Sequence, residues 1–196
     1  MADEPTTRPA RIRAFVALEL DPGVRSRIAG LIAQLGPSID RVRWVAPESL
    51  HVTVRFLGYA PPAALVQLQG PLAEAAARCA PADAPVRGLG IFPERGSPRV
   101  LWLGIAVPPT FAGLQAECER AAVAGGFPPE PRPFRPHLTL ARWSQHDRRP
   151  RLPAMDLGVA RLERLVLFRS EPRRTGSLYT PLAAFALGGP TPDAMR

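Results

Sequence analysis

The chain has 196 residues, 46% of them hydrophobic, which suits one well-packed core or two small lobes sharing one and excludes global disorder. No apolar run approaches the roughly 20 residues of a membrane helix, and the start MADEPTTRPARIR lacks the apolar segment of a secretory signal. All 25 basic residues are arginine, against 17 acidic residues and a net charge of +8; this favours polyanionic partners such as RNA, although arginine in place of lysine also fits a GC-rich genome.

In chain order, residues 11–20 read as a strand. Asp21-Pro22 is a helix start, because Asp can accept from the free amides and Pro at the first position has no N–H to orphan. Val24, Ile28, Leu31 and Leu35 then follow helical spacing up to Gly36-Pro37. Residues 43–45 form a short strand, Pro47-Glu48-Ser49 turns, and Leu50–Leu57 is a strand. A second helix carries Leu65, Leu68, Leu72 and Cys79. Residues 81–85 read as a connector, and residues 86–92 and 98–107 as a hairpin around Glu94–Ser97. A third helix carries Phe111, Leu114, Cys118 and Ala121 and stops at Gly125-Gly126. Both cysteines occupy apolar helical positions and read as buried free thiols, with no zinc spacing. A proline-rich link, in which Pro136 disfavours helix at Arg135, leads into a strand over 134–143. Residues 144–153 form a polar loop, and residues 164–170 and 177–187 closing strands. Loose tails are expected at 1–10 and 188–196 around a single domain over 11–187.

Two of these strands carry the same frame: His51-Val52-Thr53-Val54 and His137-Leu138-Thr139-Leu140. Residues i and i+2 of a strand share a face, so the apolar members should enter the core while two imidazoles and two hydroxyls face the other way. One motif strand falls in each half. The order predicts an α+β fold of two lobes with antiparallel sheets, facing each other across a cleft and covered outside by helices. Imidazole titrates nearest neutral pH, so one ring can accept a proton while the other donates one. Opening a cyclic phosphodiester requires this set: a base for water, an acid for the departing oxygen, and donors for the non-bridging oxygens. Two other readings remain open on the residues alone: a structural role for each His-x-Thr, and a metal site with His146 as third ligand. No carboxylate cluster suggests a metal, and His146 sits in a polar loop suited to solvent.

The motifs do not stand alone. Arg43-Trp44-Val45 precedes the first, which extends through Arg55-Phe56-Leu57-Gly58; Arg99–Gly104 lies between; Phe134-Arg135-Pro136 and Ala141-Arg142 flank the second; Tyr179-Thr180-Pro181-Leu182 follows. In this order over residues 11–187 the chain resembles the 2H phosphoesterases, in particular the bacterial and archaeal RNA 2′,3′-cyclic phosphodiesterases also called 2′-5′ RNA ligases. The resemblance implies a bilobed 2H phosphoesterase fold with pseudo-two-fold symmetry around a central cleft. It implies cofactor-free and metal-independent hydrolysis of RNA 2′,3′-cyclic phosphate ends to 2′-phosphates, by a cytoplasmic monomer without membrane attachment. By motif, His51 is the proton donor and His137 the proton acceptor. Thr53, Thr139 and Arg142 bind the substrate phosphate, and Phe56 stacks on a base. Arg135, Arg148, Arg149 and Arg151 offer an electrostatic rim, and Trp44, Trp102 and Tyr179 are expected to pack. Three alternatives stand beside this: 2′-5′ ligation by the reverse reaction, hydrolysis of a small cyclic nucleotide, and a noncatalytic module that binds RNA ends.

Overall fold

Strand β1 (Ile12–Glu19) delivers Asp21 to the start of helix α1 (Pro22–Leu35), where its Oδ1 accepts from the Val24 amide at 2.9 Å. This is the start the sequence predicts, and Val24, Ile28, Leu31 and Leu35 are the residues α1 buries. The computed structural model describes residues 10–145, 147–173 and 176–188. The expected tails lie almost entirely outside those residues, as does His146. The chain continues through β2 (Val42–Trp44), β3 (His51–Ala60), α2 (Pro62–Ala77), β4 (Ala82–Phe92), β5 (Val100–Ile105) and α3 (Thr110–Ala124). It closes with β6 (His137–Trp143), β7 (Asp156–Leu162), β8 (Arg164–Arg173) and β9 (Gly176–Ala186). Among the described residues no helix is long and apolar enough to cross a membrane.

The strands are antiparallel and follow the order β7-β4-β5-β6-β3-β1-β8-β9, with β2 also paired to β6. The two expected sheets are the two halves of this path. They meet at β3 and β6, joined by one residue pair, Val52 opposite Leu138. The pseudo-two-fold relation therefore runs through the second residue of each motif. The lobes are not simply the two halves of the sequence. The C-terminal strands β8 and β9 return to complete the first lobe beside β1, and β2 crosses to the second.

One face of the sheet carries the core. Leu18, Ile28, Val52, Leu72, Leu103, Cys118, Leu138, Leu140 and Leu165 belong to a single buried cluster with the helices. Phe15 and Ala17 are also buried but point to the opposite face, as alternation along β1 requires. α2 packs on α3, and α1 reaches the far lobe. There Arg27 donates to the Leu157 and Val159 carbonyls at 2.8 and 2.7 Å, and Asp21 Oδ2 accepts from the Arg161 amide at 3.0 Å.

The structure differs from the expected elements at one place in particular. Residues 82–85, read as a connector, are the first part of β4 and pair with β7, a strand the sequence reading lacked. Pro85 lies within this pairing, opposite Val159, next to a break in register between Pro85 and Arg87. Proline has no N–H for a ladder and is confined to edges and bulges, so it reads as a strand terminator. β7 is an edge strand that buries only Ala160 and Leu162 and contains Gly158 at φ 76°. Its apolar alternation is correspondingly faint. β6 begins at His137 itself; residues 134–136 lead in without pairing.

Candidate active site

Both motifs keep their predicted alternation. Val52, Val54, Leu138 and Leu140 are buried in the core, while His51, Thr53, His137 and Thr139 are half-buried on the other face. Since Val52 faces Leu138 in an antiparallel pair, the register runs His51 toward Thr139 and Thr53 toward His137. Two imidazoles and two hydroxyls thus alternate around one cleft.

A second correspondence is invisible in the sequence. On β3, Ala17 faces Thr53 and Val16 faces Arg55, leaving Val54 as an extra, bulged residue. On β6, Trp102 faces Thr139 and Leu101 faces Ala141, leaving Leu140 bulged. Each motif therefore ends on a β-bulge at its fourth residue, a device that re-aims the following side chains. After it, Arg55 and Ala141 turn to the core, where they are 4% and 0% exposed. Phe56 and Arg142 turn to the cleft side, in equivalent positions.

The histidines are held alike. The Nδ1 of His51 lies 2.7 Å from the Ser49 carbonyl, and the Nδ1 of His137 lies 2.7 Å from the Arg135 carbonyl. A carbonyl only accepts, so Nδ1 carries the proton and Nε2 of each neutral ring presents a lone pair. Each ring also meets an aromatic edge-on: Tyr179 at 5.2 Å from His51 and Phe92 at 5.3 Å from His137. Phe15 lies 4.7 Å from His51, within a cluster that includes Phe168 and Tyr179. On the other side Trp102 packs against Phe92 at 5.3 Å and lies over Gly90, where a Cβ would fall 2.0 Å from the indole. That close approach requires glycine.

These surroundings lower both imidazole pKa values. His51 is pushed down from 6.5 to about 4, by burial first, with the charges of Arg142, His137 and Arg25 adding and the Ser49 carbonyl opposing. His137 is lowered by burial and by Arg142, against the pull of the Arg135 carbonyl. Both rings are neutral at pH 7. Arg142 is exposed, yet its charge is felt by both rings, so it stands beside the place where an anion between them would lie.

The other residues sort differently. Phe56 is 39% exposed, 6.2 Å from Phe15, with the Arg132 guanidinium 5.7 Å from its ring centre. Trp44, Trp102 and Tyr179 all pack as expected, Trp44 on the core, Trp102 on Phe92 and Tyr179 on Phe15 and His51. Arg135 is engaged with Glu94 at 3.0 Å, and Arg149 donates to the carbonyls of Ile91, Pro93 and Gly96. Both bridge to the β4–β5 connection. Sequence reading missed Phe92 and Arg55. Phe92 carried no local signal. Nor did Arg55, which alternation assigns to the cleft face: it is buried, paired with Glu119 of α3, and donates to the Phe56 and Pro128 carbonyls.

The family model "LigT like Phosphoesterase" matches residues 18–102 and 105–179. The chain is 32% identical over 184 residues to an RNA 2′,3′-cyclic phosphodiesterase of Methanothermobacter thermautotrophicus, covering 90% of this chain and all of that one. It is 36% identical to one of Thermus thermophilus, covering 91% of each. Among solved structures, the protein TT0787 of Thermus thermophilus superposes with a TM-score of 0.77 at 33% identity, over 91% of this chain and 99% of that one. Escherichia coli LigT in complex with 3′-AMP gives 0.73 at 28%, over 90% and 98%. The bulged, twinned His-x-Thr strands thus sit in a fold and a sequence frame shared with these proteins, and the chain belongs to the LigT-like phosphoesterase family of the 2H phosphoesterases.

Proposed function

We propose that the protein opens the 2′,3′-cyclic phosphate at the end of an RNA by attack of water, leaving a 2′-phosphate and a free 3′-hydroxyl. The observation that carries this reading is the pair of Nδ1-anchored imidazoles whose Nε2 atoms serve one cleft. The names of the relatives support the substrate class.

In this mechanism the Nε2 of His137 takes a proton from water as its oxygen bonds to phosphorus. The P–O3′ bond breaks, and the departing O3′ takes a proton from the Nε2 of His51. The two protons balance, and solvent returns His137 and His51 to their starting states. His51 holds a proton less firmly and is the stronger acid once protonated; His137 is the more basic ring. An anionic phosphate between them favours the charged ring and supplies the protonated state that burial and Arg142 disfavour. Thr53 and Thr139 donate to the non-bridging oxygens, Arg142 balances their charge, and Phe56 stacks on a base of the RNA.

The test is hydrolysis of a short RNA ending in a 2′,3′-cyclic phosphate, in EDTA, with the product isomer identified. The expected product is the 2′-phosphate. His51→Ala and His137→Ala are each expected to lower kcat by ~10²–10⁴ and to leave a folded protein at pH 7. A 3′-phosphate product, a requirement for metal, or full activity in either variant overturns the mechanism.

A further inference from the structure

Beside the cleft, on the far side of Arg142, lies an open cavity of about 660 Å³ lined by Arg41, Arg43, Arg142, Ser144 and Gln145, over Val42 and Trp143. It exists because β2 crosses to β6, setting Arg43 directly opposite Arg142. Trp44 and its partner Ala141 turn to the core, so Arg43 and Arg142 share the cleft face. Arg41, two residues back along the chain, is the single non-glycine residue with positive φ among the described residues, at 56°. Strained backbone of this kind persists where surrounding structure holds it, and it clusters at binding sites. Several arginines elsewhere are paired with carboxylates: Arg55 with Glu119, Arg78 with Glu117, Arg161 with Asp83 and Glu163. Among the described residues, the guanidiniums of Arg41, Arg43 and Arg142 meet no carboxylate. Three unneutralised forks, a hydroxyl and an amide in one cavity make a site for a phosphate and the polar groups next to it.

We infer that this cavity is a second phosphate subsite, holding the phosphodiester on the 5′ side of the terminal nucleoside. The inference rests on the proposed function, which places the terminal cyclic phosphate between the histidines. From there the RNA leaves through O5′ to its next phosphate. Adjacent strands are about 4.8 Å apart and two strand residues span about 6.6 Å. The row from Arg142 to Arg43 to Arg41 therefore extends away from the cleft on the scale of a nucleotide step. Arg142 stands at the junction and serves both phosphates. The subsite selects an RNA end over a free nucleoside cyclic phosphate, which reaches the histidines but offers nothing to Arg41 and Arg43.

The experiment compares kcat/KM, in EDTA, for adenosine 2′,3′-cyclic phosphate, its 5′-phosphorylated form, and the dinucleotide ApA ending in a 2′,3′-cyclic phosphate. The two substrates with the extra phosphate are expected to exceed the first at least tenfold. Their log–log salt dependence should be steeper by about 0.7, the slope of one phosphate contact on a single strand. Arg43→Gln with Arg41→Gly should remove most of that advantage and the extra slope, while kcat/KM on adenosine 2′,3′-cyclic phosphate changes by less than about twofold. Glycine suits the positive φ at position 41, so the variant keeps its backbone. Equal rates on all three substrates in the wild type, an advantage that survives in the double variant, or an equal loss on every substrate overturns the subsite. Failure of the wild type to open any of the three instead overturns the RNA-end function, and the subsite with it.

Discussion

Up to their bulges, β3 and β6 are near copies; one residue beyond, they part. Both carry His-apolar-Thr-apolar, both anchor the ring through a carbonyl two residues earlier, and both bulge at the fourth position. Past the bulge, β3 sends Arg55 into the protein and Phe56 to the cleft, where β6 sends Ala141 and Arg142. The walls differ too: Ala17 with the Phe15 cluster on one side, Trp102 with Phe92 on the other. The shared part is suited to moving protons, which any pair of like rings can do in either direction. The unlike part gives the cleft a cationic end and an aromatic end, the asymmetry on which the proposed orientation of the substrate rests.

Four perturbations sharpen that contrast. The largest concerns Arg55, whose counterpart Ala141 shows that this position needs no charge for the fold. Arg55→Leu leaves Glu119 partly buried without its partner and is expected to cost about 3–5 kcal/mol, read by urea denaturation. Arg55→Leu with Glu119→Gln should recover much of that; if the single variant costs nothing, the pair is not what ties α3 to β3. Next come the hydroxyls. Thr53→Val and Thr139→Val keep shape and remove a donor, and each should lower kcat by ~10²–10³. Equal losses mean that the phosphate sits on the pseudo-two-fold axis; a large loss in one alone places it off-axis.

The third perturbation uses pH. The folded-state pKa of His51 lies below its unfolded value, so the unfolded chain binds the extra proton. The contribution is therefore intact above pH 6.5 and lost as pH falls toward about 4. The loss is on the order of 3 kcal/mol for a shift of that size. His51→Ala should flatten the stability profile over this window more than His137→Ala does; identical profiles would show that the two rings are equally buried. The smallest effect is that of Arg142→Ala, expected to raise KM about tenfold, roughly 1.4 kcal/mol. Removing the cation also raises both imidazole pKa values, so both limbs of the bell-shaped kcat/KM profile should move to higher pH. In the wild type those limbs belong near pH 4 and below pH 6.5. Limbs that stay in place would put Arg142 out of electrical contact with the rings.

What could be read from the chain follows from where the signal resides. The histidines, threonines and apolar partners were legible because alternation is a local property, and so was the Asp21 start of α1. The crossing of β2, the return of β8 and β9 to the first lobe, and the nearness of Phe92 and Tyr179 to the rings depend on long-range pairing that no short window holds. Pro85 and Gly158 hid the β4–β7 pairing because each, taken locally, argues against a strand. The bulges were illegible for a different reason: Val54 and Leu140 continue the apolar alternation, and only their neighbours in β1 and β5 reveal the extra residue. That slip is also why Arg55, which alternation alone would send to the cleft beside Thr53, ends in the interior.

The joint between the lobes has a mechanical meaning. The β3–β6 ladder is one pair long, so the lobes are held across it by β2 on β6, by the bonds from α1 to β7 and by the shared core. Each ring is anchored to its own segment, two residues away, and does not depend on the opposite lobe for its aim. The two histidine strands are thus finished separately, each within its own lobe, while the lobes are fixed to each other by structure that lies away from the rings.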